Sequence, residues 1–449
     1  MKIIIAGAGE VGFHLAKLLS YESQDITLID TNKESLSYAD SHLDIRVLKG
    51  DATSISVLRD AKVEQSHLVI GVTSSETTNI TLCMLAKQLG CERTIARISN
   101  TEFVDNKDLI KFDELGIDEL ISPEELAATE IQLLLNKSAF NDTYEFEEGK
   151  LIMVGVSLPK SAPFVGKMVK EAANIFSELH FMPIALQRLG TRYTVIPRGD
   201  TVFKEGDQVY FITVKEGVDE LYKLTGKKKE EIKNVMILGG SRVGFKAARD
   251  LCAKKFNVKL IEKDKEKAFD LSDDLPNALV INGDGRNVEL LQEESLESMD
   301  AFIAVTGNSE TNIMSCLVAK SKHIKKTIAL VENMDYFQLS HSIGIDTLIN
   351  KKLLAANNIF KYIRKGEVVA LMRINNLNAE ILEFVVKPNS KVTSTLIREL
   401  NFPKAATIGG VVRDGEGIIA LGGFEIQAGD RVVVCCLPEA IPKIERLFL

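Results

Sequence analysis

The chain has 449 residues, 45% of them hydrophobic and 26% charged, and its 55 Lys and Arg against 63 Asp and Glu give a formal net charge of −8. This composition excludes wholesale disorder, and the acidic balance argues against nucleic acid as a partner, which calls for a basic domain or stripe. The absence of Trp and the presence of only 6 His leave little for a His-rich metal centre, so no metal site is expected.

The length corresponds to about three average domains. No stretch approaches the roughly 18 consecutive apolar residues of a membrane span. The N-terminal apolar run Met1–Ala6 is too short for a signal peptide and enters a glycine loop directly. Six cysteines (Cys83, Cys91, Cys252, Cys316, Cys435 and Cys436) form no CxxC pair, which fits a reduced, cytoplasmic protein.

Met1–Ala6 reads as a strand buried on both faces, followed by a helical spacing over Val11–Ser20. Ile26–Ile29, Ile45–Leu48, His67–Val72 and Thr94–Ile98 are further strands, and Ile80–Leu89 and Glu102–Leu115 are helices between them. This alternation predicts a parallel, doubly wound sheet. Ser122-Pro123-Glu124-Glu125 opens a helix running to about Asn136, with Ser as N-cap, Pro at the first helical position and Glu three residues after the cap. After Phe140 the strands shorten (Leu151–Val156, Val209–Val214) and Gly and Pro recur, as in a small α+β unit with antiparallel pairing. Gly226–Glu231, charged and without large apolar residues, reads as a linker.

The chain then repeats itself. KIIIAGAGEVG at 2–12 returns as NVMILGGSRVG at 234–244, Leu28-Ile29-Asp30 as Leu260-Ile261-Glu262, and Gly50-Asp51 as Gly283-Asp284. Thr73 and Asn79 return as Thr306 and Asn312, and Gly116-Ile117-Asp118 as Gly344-Ile345-Asp346. The second small unit contains Phe384–Val386, a helical Leu396–Leu400, and Gly429–Val434, which echoes Gly206–Phe211. The expected architecture is therefore α/β: two tandem Rossmann-like doubly wound parallel-sheet domains (1–140 and 232–365), each followed by a small α+β subdomain (141–226 and 366–449).

Gly7-Ala8-Gly9-Glu10-Val11-Gly12 is a GxGxxG loop between a buried strand and a helix, and Asp30 ends the next strand. This is the setting of dinucleotide binding. Gly7 permits the tight turn, Gly9 lets a pyrophosphate approach the backbone, and Gly12 allows close helix–strand packing. The helix N-terminus supplies N–H groups for phosphate. Asp30 accepts from a ribose diol and repels a 2′-phosphate, favouring NAD or adenosine nucleotides over NADP. Such a fold also exists without a ligand, and that alternative stays open. In the second copy Ser241 replaces the middle glycine, while Arg242 is placed to meet phosphate and Glu262 keeps the acidic ribose position. Asp51 and Asp284 follow a glycine after the third strand, where a carboxylate either serves a nucleotide or caps the following helix. Arg97 ends an apolar strand and calls for a phosphate or an ion pair, whereas Leu330 stands at its place in the second copy.

A dehydrogenase needs an acid/base group against its substrate, and the small units offer only His180. No GxSxG, Walker or HExxH motif appears, so no catalytic residue is assigned.

Together, GAGEVG, Asp30, Gly50-Asp51-Ala52-Thr53, VTSSETTN at 72–79 and Ala96-Arg97-Ile98 resemble the Rossmann core of the RCK, or KTN, domain family, and each small unit resembles its C-terminal subdomain. Two such pairs in one chain without a membrane segment are similar to the peripheral regulatory subunits of Trk-type potassium uptake systems. The resemblance implies NAD(H) and ATP or ADP as competing ligands, and a homotetrameric cytoplasmic ring on the inner face of the cell membrane. That ring would control a potassium-translocating subunit of TrkH or TrkG type. By position, Gly7, Ala8, Gly9, Glu10, Val11 and Gly12 would cradle phosphates, Asp30 the ribose, Asp51, Ala52 and Thr73 the adenosine side, and Arg97 the distal phosphates. Gly239, Arg242, Val243, Gly244, Glu262 and Asp284 would form a second site that matches more loosely. An NAD-dependent oxidoreductase and a nucleotide-sensing adaptor of another transporter are the alternative functions.

Overall fold

The computed structural model describes residues 1–20, 24–100, 102–103, 106, 109–136, 142–173, 180–189, 191, 193–224, 232–333, 336, 344–363, 368–373 and 377–448. The expected linker at 226–231 lies outside the described residues. The chain forms two compact units, residues 1–128 with 350–363, and residues 129–349 with 364–449.

The first unit holds β1 (Lys2–Ala6), α1 (Glu10–Ser20), β2 (Asp25–Asp30), α2 (Lys33–His42), β3 (Arg46–Lys49), α3 (Ile55–Asp60), β4 (Leu68–Gly71), α4 (Glu76–Gln88), β5 (Arg93–Arg97) and β6 (Glu119–Ile121). Helix α5 (Pro123–Asn136) starts in it. The strands form one parallel sheet in the order β3-β2-β1-β4-β5-β6. Ile3, Ile4 and Ile5 are wholly buried, because crossover helices cover both faces of such a sheet. The start of α5 is as expected: the Ser122 hydroxyl accepts the N–H of Glu125 at 3.3 Å. Of the helix expected over 102–115, Glu102 and Phe103 are helical and the Asn106 N–H bonds the carbonyl of Glu102 at 3.1 Å, whereas 112–116 form a turn; 101, 104–105 and 107–108 lie outside the described residues. Gly116, with φ +84°, closes that turn just before β6.

The second unit contains a small antiparallel sheet, ordered β10-β9-β11-β8-β7. Its strands are β7 (Asp142–Phe146), β8 (Leu151–Ser157), β9 (Phe181–Gln187), β10 (Thr194–Val195) and β11 (Gln208–Thr213), with helices α6 (Val169–Ala173) and α7 (Gly217–Leu224). Next come β12 (Asn234–Leu238), α8 (Arg242–Ala253), β13 (Asn257–Glu262), α9 (Lys265–Asp274), β14 (Ala278–Asn282), α10 (Val288–Glu293), β15 (Ala301–Ala304), α11 (Ser309–Ser321), β16 (Lys326–Leu330) and β17 (Thr347–Ile349). They build a second parallel sheet, β14-β13-β12-β15-β16-β17, with the order of the first. Helix α12 (Lys351–Ile363) follows but belongs to the first unit. The last sheet is β18 (Val368–Arg373), β19 (Glu380–Val385), β20 (Ala406–Arg413), β21 (Glu416–Ile418) and β22 (Arg431–Cys436), ordered β18-β19-β22-β20-β21, before α13 (Ile441–Phe448). The two small sheets share a core that includes Ile184, Tyr210, Ile212, Ile381, Val433 and Cys435. Arg198 joins them by donating to the carbonyls of Pro403, Lys404 and Ala406. The glycine–aspartate echo is structural: Asp207 pairs with Arg188, and Asp430 with Arg413 at 2.7 Å. The helical segment expected at Leu396–Leu400 is a single 3₁₀-helical turn at Ile397–Glu399.

The repeated Gly-Ile-Asp also has a structural job. Asp118 accepts from the N–H of Thr94 at 2.7 Å and from Lys87 at 2.8 Å; Asp346 does the same with Thr327 and Lys320. Each clamps the last strand pair to the helix before it. Burial pushes the Asp118 carboxyl up, but the Lys87 ammonium and the Thr94 N–H outweigh it, holding the group below its ordinary value. A carboxyl lowered by folding stabilises the fold above its unfolded pKa and loses that contribution as pH falls. Asp118→Asn is therefore expected to cost about 1–2 kcal/mol at neutral pH, with the gap in melting temperature from the parent closing only as pH falls below the ordinary carboxyl value and through the lowered one. A gap that does not depend on pH would remove the charge from the explanation.

Candidate nucleotide site

The order of strands reverses between β1 and β4, and ligands of open α/β sheets sit at the carboxyl ends of strands at such a switch point. The loop Gly7–Gly9 leaves β1 there. Gly7 has φ +108°, and a Cβ on it would lie 2.9 Å from the N of Thr73. A Cβ on Gly12 would lie 1.7 Å from the carbonyl oxygen of Gly7. Gly9 faces open space, with nothing within 4 Å of a Cβ. The three glycines thus do three different things: one takes a turn, one lets α1 pack under the loop, and one leaves room above it.

Asp30, at the end of β2, accepts the N–H of Ala8 at 2.5 Å and that of Asn32 at 2.7 Å. Its carboxylate is fixed beside the loop. Asp51 is not a helix cap, since Ser54 occupies that position before α3. Instead it accepts from the N–H and hydroxyl of Thr53, both at 2.8 Å, which hold its carboxyl below the ordinary value. Ala52, the next residue, is buried in the core with Ile4, Ala6 and Ile29.

Thr73 and Arg97 are brought to one edge by a residue that sequence reasoning did not assign to the site. Asn79, 1% exposed on α4, accepts from the Thr73 N–H at 2.9 Å and from its hydroxyl at 2.7 Å. It donates to the carbonyl of Arg97 at 2.8 Å. Its one sequence signal was recurrence as Asn312, which holds Thr306 and the carbonyl of Leu330 in the same way. Arg97 ends β5, and its Nε is buried without a hydrogen-bond partner.

The second copy has the same frame with a different lining. Gly239 has φ +103°, and a Cβ on Gly244 would lie 2.0 Å from the carbonyl oxygen of Gly239. Ser241, in place of Gly9, caps α8: its hydroxyl accepts the N–H of Gly244 at 3.3 Å and donates to the carbonyl of Val305 at 2.6 Å. Arg242 is exposed beside the buried Val243. Glu262 accepts the N–H of Gly240 at 2.9 Å and lies 3.3 Å from the Lys267 ammonium. Burial raises this carboxyl, and the Asp264 N–H, Lys267 and the Gly240 N–H together bring it below the ordinary value. Asp284 is not a cap either, as Asn287 takes that position. The Arg286 guanidinium grips it through Nε and a terminal nitrogen, holding it at about 2. At the Arg97 position stands Leu330, the last residue of β16. His180, just before β9, lies 2.9 Å from Glu220.

The fold and the doubled loop are those of a tandem chain of paired N- and C-type domains: the TrkA-N domain model matches residues 3–123 and 235–351, and the TrkA-C domain model matches 153–226 and 381–449. The chain is 34% identical over 456 residues to the Trk system potassium uptake protein TrkA of Haemophilus influenzae, covering 100% of this chain and 98% of that one. It is 32% identical over 457 residues to TrkA homolog 1 of Methanosarcina mazei, covering both in full. The chain belongs to the TrkA family of Trk system potassium uptake proteins. Among solved structures, the GsuK RCK domain superposes with a TM-score of 0.61 at 17% identity, covering 100% of this chain and 94% of that one. The GsuK channel bound to NAD superposes at 0.62 and 18%, covering 100% and 78%. A GsuK structure bound to ADP superposes at 0.52 and 14%, covering 82% and 70%. Among the described residues no helix is long and apolar enough to cross a membrane.

Proposed function

We propose that this chain is a cytoplasmic, nucleotide-binding regulatory subunit of a Trk-type potassium uptake system, binding without transforming its ligands. NAD(H) and ATP or ADP compete at the first site, and a ring of four chains on the inner face of the membrane passes the outcome to a translocating subunit of TrkH or TrkG type. Gly7, Ala8, Gly9, Glu10, Val11, Gly12, Asp30, Asp51, Ala52, Thr73 and Arg97 form the first site, Gly239, Arg242, Val243, Gly244, Glu262 and Asp284 the second, and the domains span 1–140, 141–226, 232–365 and 366–449. The observation that carries the nucleotide reading is Arg97. A guanidinium with a buried, unpartnered Nε at the ligand edge of the sheet pays a desolvation penalty that an anion relieves. The open space above Gly9 and the anchored Asp30 lie at the same edge. Family membership supports the potassium system as the setting. The second site, with its Ser241 hydroxyl engaged internally, Asp284 held by Arg286 and Leu330 for Arg97, contributes less to the response. Nucleotide acts by favouring the ring conformation to which it binds better.

Co-purification from native membranes with ATP, ADP or NADH present tests this directly. Recovery of a potassium-translocating subunit, in an amount that depends on the nucleotide, is the expected result. Reproducible recovery of a different transporter, or recovery indifferent to all three nucleotides, would overturn it.

A further inference from the structure

We propose that Lys352, contributed by the second half of the sequence, is a phosphate ligand of the first nucleotide site, held by Glu10 until a nucleotide takes it over; this rests on the nucleotide reading of that site. Helix α12 begins at residue 351 yet packs against α1 within the first unit. Its start is fixed twice. The side chain of the buried Asn350 accepts the N–H groups of Lys352 at 2.9 Å and Leu353 at 3.1 Å. Lys351 pairs at 3.4 Å with the buried Glu124 at the start of α5. Lys352 then reaches the carboxylate of Glu10, the first residue of α1 and the neighbour of Gly9 in the loop.

The two partners are unequally placed. The Lys352 side chain is 18% exposed and that of Glu10 70%. A cation so withdrawn from water requires an anion, and burial holds the Lys352 ammonium below its ordinary value. Glu10 is well solvated on its own and gives up the pair at little cost. Glu10 is the chain neighbour of Gly9, where a Cβ would meet nothing within 4 Å. Di- and triphosphate oxygens lying on this loop bring more negative charge to the same ammonium than one carboxylate does, so the exchange favours phosphate. Glu10 also repels that phosphate. The arrangement belongs to the first site alone: the second loop has Arg242 where the first has Glu10, and the first-copy helix has Glu124 where the second has Lys352.

The test is calorimetric titration of the full chain with adenosine, ADP and ATP. Lys352→Gln is expected to weaken ADP and ATP by about tenfold or more, the usual scale for a charge-assisted phosphate contact, and to leave adenosine unchanged. Glu10→Gln is expected to tighten ADP and ATP, again with adenosine unchanged, and Lys352→Arg to retain most of the parent affinity. A loss shared equally by adenosine would assign Lys352 a merely structural role. Parent-like ADP and ATP affinity in Lys352→Gln, or no tightening in Glu10→Gln, would overturn the exchange. If the parent chain binds none of the three, the nucleotide reading itself fails, an outcome separate from any effect of the variants. Should Lys352→Gln not fold, the sign of the Glu10→Gln effect decides.

Discussion

Alanine at Gly12 is expected to lower the melting temperature of the first unit by several degrees, whereas alanine at Gly9 is expected to leave it within about a degree of the parent and to weaken nucleotide binding instead. The difference lies in what each new methyl group meets. At Gly12 it lies 1.7 Å from the carbonyl oxygen of Gly7 and 3.3 Å from a methyl of Val72. Gly7 cannot retreat freely, since its N–H is bonded to the carbonyl of Ile29 at 2.8 Å and its own Cα faces the backbone of Thr73. The strain must go into shifting α1, and overpacking of this kind costs about 1–3 kcal/mol, or roughly 2–12 °C at the scale of a domain this size. At Gly9 the methyl group meets no atom within 4 Å, and the backbone there is not in the left-handed region. Its only effect is to occupy the space a pyrophosphate would use, with an expected loss of tenfold or more in ADP affinity. Calorimetric melting and titration of both variants check the pair. Parent-like binding by Gly9→Ala would mean that no pyrophosphate lies on the loop, and an unchanged melt for Gly12→Ala would mean that the helix yields without strain.

Both glycine roles were legible because the loop carries them locally, in six consecutive residues whose strand and helix announce themselves by apolar spacing. The duplicated order of GAGEVG, Asp30, Gly50-Asp51 and the Thr–Asn pair likewise revealed two copies of one sheet. What escaped was short, weakly apolar or distant. Strands β6 and β17 have three residues each, too few for a periodicity. Helix α2 buries only Leu36 and Ala39 and is set by its Asn32 cap, whose side chain accepts the N–H groups of Glu34 and Ser35. Asp51 and Asp284 looked able to cap helices, but residues three further on hold those positions; a carboxylate two residues before a backbone N–H closes its own turn first. Lys352 was invisible for a topological reason. The helix that carries it packs on α1, some 340 residues away in sequence, and no local pattern encodes such a partner.

Replacing Arg97 by Leu is expected to make the first site discriminate nucleotides as poorly as a site that already has Leu there, because it installs the residue of the second copy, Leu330, in the same frame. The frame survives: Asn79 binds the carbonyl of residue 97, not its side chain, and Asn312 makes the matching bond to Leu330 at 2.8 Å. Val72, Thr73 and the sheet edge therefore keep their places, and the change is confined to one guanidinium. In the parent that guanidinium has a buried, unpartnered Nε, so a terminal phosphate that reaches it gains a charge-assisted bond of about 1.5–3 kcal/mol, roughly 10- to 150-fold in affinity. If only a triphosphate reaches that far, the loss falls on ATP, ADP is nearly unaffected, and the ATP/ADP ratio collapses toward one. The melt should rise slightly or stay, since an unsatisfied buried donor is replaced by an apolar side chain. Equal losses for ATP and ADP would place Arg97 on the inner phosphates, and an unchanged ratio with unchanged affinities would leave the guanidinium without a part in recognition. The Lys352 variants separate the two cations: Lys352, beside the loop, acts on ADP and ATP alike, while Arg97, at the end of β5, acts on their difference.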